Sequence, residues 1–182
     1  MEGVSRYFLS SMKQTKNVPG RWDKLLRTFS LLKGLPVIEL QSGSRIGEVC
    51  DIHISGSGVV KSLLIRKGTL LKKTFHINVQ DVASFGWDGV MVEDQSVLKP
   101  LKKSNEYTFE GPNRLTGRTM MSREGERLGL LEDVYFHEEV GTIIGYELSD
   151  GFFSDMLEGK RIIKTELPPA IGKDTIIVNV KE

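Results

Sequence analysis

Cysteine is nearly missing from this chain: Cys50 stands alone among 182 residues. An internal disulfide framework is therefore excluded, and the composition suits a reducing, cytoplasmic compartment. Beside that one thiol there are only three histidines, His53, His76 and His137, scattered along the sequence, which excludes a thiolate zinc cluster. No apolar run approaches the roughly 18 to 20 residues that a membrane-spanning helix needs. Signatures of chemistry are equally scarce, with no Gly-x-Ser-x-Gly elbow, no P-loop and no dinucleotide fingerprint. Nothing in the spacing pairs a histidine with a nucleophile. The chain accordingly reads as a non-enzyme, with no catalytic residue, metal or cofactor expected.

What is present is ordinary for a soluble globular protein: 39% hydrophobic residues, 27% charged, 19 glycines and a formal net charge of +1. Neither disorder nor a collagen-like repeat fits those values. The neutrality hides a partition, for residues 1–34 carry +5, residues 35–104 carry +2 and residues 105–182 carry −6. A basic front and an acidic back can steer partners or align copies, although the field fades over about 8 Å at physiological salt.

Residues 1–26 mix Ser10, Ser11, Asn17, Pro19 and Gly20 with basic side chains and hold no sustained period. A loosely packed arm is expected there, since Tyr7-Phe8-Leu9 is too short for a secretion signal. Arg21-Trp22 can be encoded by AGG-TGG, which would read as a bacterial ribosome-binding site ahead of a TTG start at Leu25 or Leu26. On that expectation the arm is not natively translated, and the first module runs over 27–104 and the second over 105–182.

From Leu35 onward, short strands alternate with glycine turns. Strands are expected over 37–40, 45–54, 59–65, 75–79 and 90–92, the second alternating with the two-residue period of a half-buried strand. The order then repeats. Residues 125–136 lie 82 positions beyond 43–54, Gly141-Thr142-Ile143 answers Gly58-Val59-Val60 at 83, and 172–178 answers 86–92 at 86. Internal duplication explains this recurrence better than chance. Gly43 and Gly125 are expected at positive φ in tight turns, and Gly47 and Gly129 at a bulge, bend or close backbone approach. Asp51 and Asp133 are read as structural, accepting hydrogen bonds from loop amides or facing water. A module of about 70 residues is marginally stable alone, so a tight pair is expected, joined by a polar connector from Pro100 to Pro112.

With these residues in place the sequence resembles the PRC-barrel family, named for the cytoplasmic domain of the photosynthetic reaction-centre H subunit and found also at the C-terminus of the ribosome maturation factor RimM. The matching residues are Gly43 to Ile54 and Gly125 to Phe136, opened by Leu35-Pro36-Val37 and by Leu115 to Met120, and in the first copy closed by 75–82 and 86–92. Leu167-Pro168-Pro169 departs from the pattern, because proline must stop a strand early. The resemblance implies an all-β protein of two tandem small antiparallel barrels, of the kind seen in tandem bacterial PRC-barrel proteins. It implies binding to other proteins or regulation of a larger complex, and brings no catalytic residues.

Candidate contacts lie in the loops where the copies differ. Arg66, Lys67, Lys72 and Lys73 are candidate phosphate contacts. Phe152, Phe153, Met156 and Leu157 are candidate partner contacts, because aromatic residues dominate binding hot spots. Leu70-Leu71 and Met156-Leu157 are expected to cap a barrel end or pack between the modules. The leading expectation is a non-catalytic adaptor or scaffold with an unidentified protein partner. An RNA or ribosome-assembly accessory is the alternative, and a homo-oligomer is compatible with both.

Overall fold

The computed structural model describes residues 26–68, 71–101, 106–150, 161–165 and 167–180. Residues 1–25 of the expected arm lie outside the described residues, as do Phe152, Phe153, Met156 and Leu157.

The chain opens with a short strand β1 (Leu26–Thr28) and a one-turn helix α1 (Phe29–Leu32). The first sheet follows, with β2 (Pro36–Glu39), β3 (Arg45–Ile54), β4 (Val60–Lys67), β5 (Lys73–Asn78), β6 (Ser84–Phe85), β7 (Val90–Val92) and β8 (Lys99–Pro100). A two-residue strand β9 (Tyr107–Thr108) precedes the second set, β10 (Thr119–Ser122), β11 (Arg127–His137), β12 (Ile143–Ser149), β13 (Arg161–Lys164), β14 (Ala170–Ile171) and β15 (Thr175–Val178).

The two sheets share one topology. Strand order is β6-β7-β2-β3-β4-β5-β8 in the first and β13-β12-β11-β10-β15-β14 in the second. Pairing is antiparallel except that β2 runs parallel to β7 and β10 parallel to β15. The protein is thus all-β with two tandem modules of the expected kind. The ladder of each sheet stays open, for among the described residues no pairing joins its two edge strands.

Bulges interrupt the ladders of both sheets, and a bulge bends its strand locally. One falls between Val37 and Ile38 opposite β3, and another between Val49 and Asp51, where Cys50 is the extra residue. The second sheet repeats both, between Met120 and Met121 and at Glu132. An extra residue shifts the phase of the strand by one position. This corrects the expected simple alternation of β3: Asp51, Ile52, His53 and Ile54 are all buried in succession, because the other module covers the face that should have met water.

That covering is reciprocal. Strand β1 pairs with β11 of the second sheet, Thr28 opposite Tyr135, while β9 pairs with β3 of the first, Thr108 opposite His53. Each module lends its lead-in strand to the other. Residues expected to be a polar connector are therefore partly structural, since Pro100 and Tyr107–Thr108 sit in ladders. One continuous apolar core results, running from Phe29 and Leu32 through Val49, Ile65 and Ile77 to Phe109, Leu115, Phe136 and Ile176.

Candidate functional site

Around the module junction an approximate two-fold relation governs each contact. The carboxylate of Asp133 leaves its own strand to receive the amides that begin α1: Oδ1 accepts from Phe29 N at 3.0 Å and Oδ2 from Ser30 N at 3.2 Å. Asp51 does the same for the second module, its Oδ1 accepting from Phe109 N at 2.9 Å and its Oδ2 from Glu110 N at 3.2 Å. Each aspartate also accepts from the next amide of its own strand, Ile52 or Val134, at 2.8 Å. The first amides of a helix have no partner within it, so a carboxylate there acts as an N-cap. Here the cap comes from the other module, together with Thr28 Oγ1, which accepts from Leu31 N.

Between the two caps, Phe29 and Phe109 pack with ring centroids 4.8 Å apart. The glycine hairpins close the same junction, with Val60 N donating to Gly141 O at 2.8 Å and Ile143 N to Gly58 O at 3.2 Å. Arg27 bridges as well. It lies on the strand lent to the second sheet, yet its guanidinium donates to Phe85 O, pairs with Glu138 at 3.0 Å and stands 5.6 Å from the Trp87 ring centroid.

Burial sets the electrostatics of the latch. Asp133 is pushed up to about 6 by desolvation, against the pull of Ser30 and Val134. Asp51 is raised for the same reason, with the amides of Ile52, Glu110, Phe109 and Gly111 holding it down. Near Asp133 the Tyr135 hydroxyl donates to Glu147 Oε2 at 2.9 Å, and burial raises that phenol first, with Glu147 adding to it.

His53 occupies the position of Tyr135, and the structure does bring a hydroxyl to it, contrary to the sequence expectation. Ser62 Oγ lies 3.4 Å from Nδ1 and Glu106 Oε2 lies 3.4 Å from the same nitrogen. A nucleophile–base–acid relay uses the two different ring nitrogens, so this grouping does not make one. Burial lowers the imidazole, with Glu106 opposing. Cys50 is half-buried and its thiol is raised mainly by burial. Among the described residues no group of three or more His, Cys, Asp or Glu side chains is placed to hold a metal ion.

The four motif glycines take distinct roles. Gly43 and Gly125 have φ of 67° and 90°. A Cβ at Gly47 would lie 2.4 Å from Ile65 Cγ2, and one at Gly129 would lie 2.9 Å from Ser149 O.

Two clefts offer binding surface. One is an apolar groove of about 690 Å³ at the junction, lined by Val59 of the first module and by Ile143, Ile144, Leu167, Pro168 and Pro169 of the second, with Lys164 at its side. The other, about 580 Å³, gathers Arg45, Glu48, Arg66, Lys67 and Lys72 at the end of β4. Three of the four candidate phosphate contacts line it, and Lys73 stands opposite Lys67 across the β4–β5 pair. Leu71, expected to pack, is 82% exposed, a correction that goes with its place between the exposed ends of β4 and β5 at Lys67 and Lys73.

Fold, duplicated motif and junction together define a two-copy barrel protein of the PRC type. The PRC-barrel domain model matches residues 27–98 and 108–182, and the chain belongs to that family. A similar protein is the uncharacterized protein YrrD of Bacillus subtilis (strain 168), 36% identical over 160 residues, covering 86% of this chain and 90% of that protein. Both matched segments start at the exchanged strands, which no local pattern in the sequence had marked.

Proposed function

We propose that the chain is a non-catalytic adaptor that holds a segment of a partner protein in the groove between its two modules. The observation that carries this reading is the composite nature of the groove, with apolar side chains supplied from both sides of the junction. A partner bound there would touch both copies at once and would need them docked. Leu167, 45% exposed at the mouth, adds apolar surface that a partner would cover. PRC-barrel membership agrees with a role in protein interaction and adds no reaction to it.

The test is affinity purification from native cells with RNase treatment, comparing the wild type with a Val59→Asp, Leu167→Asp double variant. Proteins retained by the wild type after RNase and lost from the variant, at an unchanged melting midpoint, support the adaptor. An identical set of proteins on both overturns the groove as the site. Ribosomal components released by RNase would instead favour the RNA or ribosome-assembly reading, which rests on the cationic cleft. That cleft lacks an aromatic side chain among its lining residues, whereas recognition of unpaired RNA draws on stacking.

A further inference from the structure

The first module has two unlike ends. At one, the hairpin after β3 meets the second module, whose exchanged strand β9 pairs with β3. The antiparallel order of β3, β4 and β5 puts the β4–β5 tip at the opposite end. Here the charge does not alternate. Lys67 faces Lys73 directly across the pair, Arg66 precedes Lys67 and Lys72 precedes Lys73. Like charges directly opposite on a two-stranded ladder destabilise it, so the fold itself gains nothing from this arrangement.

Glu48 stands opposite Arg66 across the β3–β4 pair and offsets that one cation, whereas Lys67 meets Lys73 rather than an acid. Glu48 pairs with Arg45 at 2.8 Å. Glu39 receives the amide of Gln95 at 2.8 Å, and with Glu93 and Asp94 it sits on the β2–β7 side of the sheet, two strands away from β4.

Apolar side chains stand beside the cations. Leu71, beside Lys72 in the β4–β5 connection, is 82% exposed, and Leu101, which continues β8 toward the same end, is exposed as well. An RNA surface or a free phosphate would engage the cations and leave the leucines in water. An anionic bilayer engages both, with headgroup phosphates for the lysines and acyl chains for the leucines.

We propose that the β4–β5 tip of the first module docks on an anionic lipid surface, Leu71 entering the interface while Arg66, Lys67, Lys72 and Lys73 contact headgroup phosphates. The occupant follows from complementary charge together with an exposed leucine beside the cations. Docked in this way, the acidic second module faces away from the membrane and the inter-module groove remains open to a protein.

The experiment is vesicle flotation with the full chain, using phosphatidylcholine vesicles with and without about one third phosphatidylglycerol. Binding to the anionic vesicles alone is expected, weakening as salt rises. Each cation near such a surface is worth about fivefold in affinity, so Lys72→Ala with Lys73→Ala lowers binding about 25-fold. Leu71→Ser weakens binding and leaves its salt dependence unchanged. Lys73→Glu gives a check on folding, because it relieves the repulsion with Lys67: its melting midpoint stays at or above that of the wild type while vesicle binding falls further than with Lys73→Ala. Equal binding to neutral vesicles, no binding to either kind, or binding indifferent to these variants overturns the proposal. So does an undiminished Leu71→Ser variant, which would assign the tip to soluble phosphate, or a single-stranded RNA probe shifted through these lysines while vesicles are ignored.

Discussion

Replacing Asp133 with asparagine should change the way stability depends on pH, and the size of the change follows from the junction. Burial and four neighbouring groups compete over this carboxylate. Burial disfavours its charge and Glu147 adds repulsion, whereas the amides of Phe29, Ser30 and Val134 favour it. Burial prevails, lifting the group from 3.8 to about 6. The folded chain therefore holds the proton more tightly than the unfolded chain. A group of this sign contributes stability that is complete below about pH 4 and is lost as pH rises through about 6. Two units correspond to about 3 kcal/mol. Asparagine cannot ionise, so the unfolding free energy of wild type minus Asp133→Asn should fall by about that amount between pH 4 and pH 7. Urea titrations at intervals across that range measure it, with constant slope in denaturant as the check that the unfolded ensembles match. Asp51→Asn is the internal comparison and should show a smaller fall of the same sign, because Asp51 is less deeply placed. Parallel profiles for wild type and Asp133→Asn would refute the reasoning, and a difference that grows with pH would show that the amides outweigh burial.

Other positions make separate predictions. Gly43 and Gly141 both have positive φ, but a Cβ at Gly43 meets nothing within 4 Å whereas one at Gly141 would stand 2.0 Å from Val60 O; Gly43→Ala should cost about 1 kcal/mol from backbone strain alone, and Gly141→Ala clearly more, both read by urea unfolding. Phe29→Ala and Phe109→Ala should each cost about 3 to 5 kcal/mol, and their double-mutant cycle should return about 0.5 to 1.5 kcal/mol of coupling; strict additivity would mean that the rings do not interact. Tyr135→Phe removes the hydroxyl that Glu147 accepts from and should destabilise by about 1 to 3 kcal/mol, with thermal melting as the measurement.

The strands that could be read from residues were those whose signal is local. Over 45–54 the observed β3 has the expected bounds, since glycine turns and β-branched residues mark both ends. The burial within it was not legible, because the bulge at Cys50 and the second module lie outside any two-residue pattern. Strands β1 and β9, of three and two residues, escaped notice for a related reason. Their hydrogen-bond partners are more than 50 residues away, and nothing in Leu26-Arg27-Thr28 or Tyr107-Thr108 announces a ladder. Asp51 and Asp133 were recognisable as structural positions through their recurrence 82 residues apart. That each would cap the opposite module required knowing where Phe29 and Phe109 lie. The cationic stretch from Arg66 to Lys73 was visible as charge, while the direct opposition of Lys67 and Lys73 depended on register.

Strand lending also bears on descent and on breakage. A single ancestral module with the same lead-in strand would have had no partner for it except a second polypeptide, so the internal pseudo-symmetry is what a fused homodimer leaves behind. Fusion turns a bimolecular association into an intramolecular one, with an effective concentration in the millimolar range for a short tether. After that, the connection between Leu101 and Glu106 is needed to assemble the pair and much less to keep it. A chain cut there should elute as one species on size exclusion at micromolar concentration and come apart only when the two halves unfold.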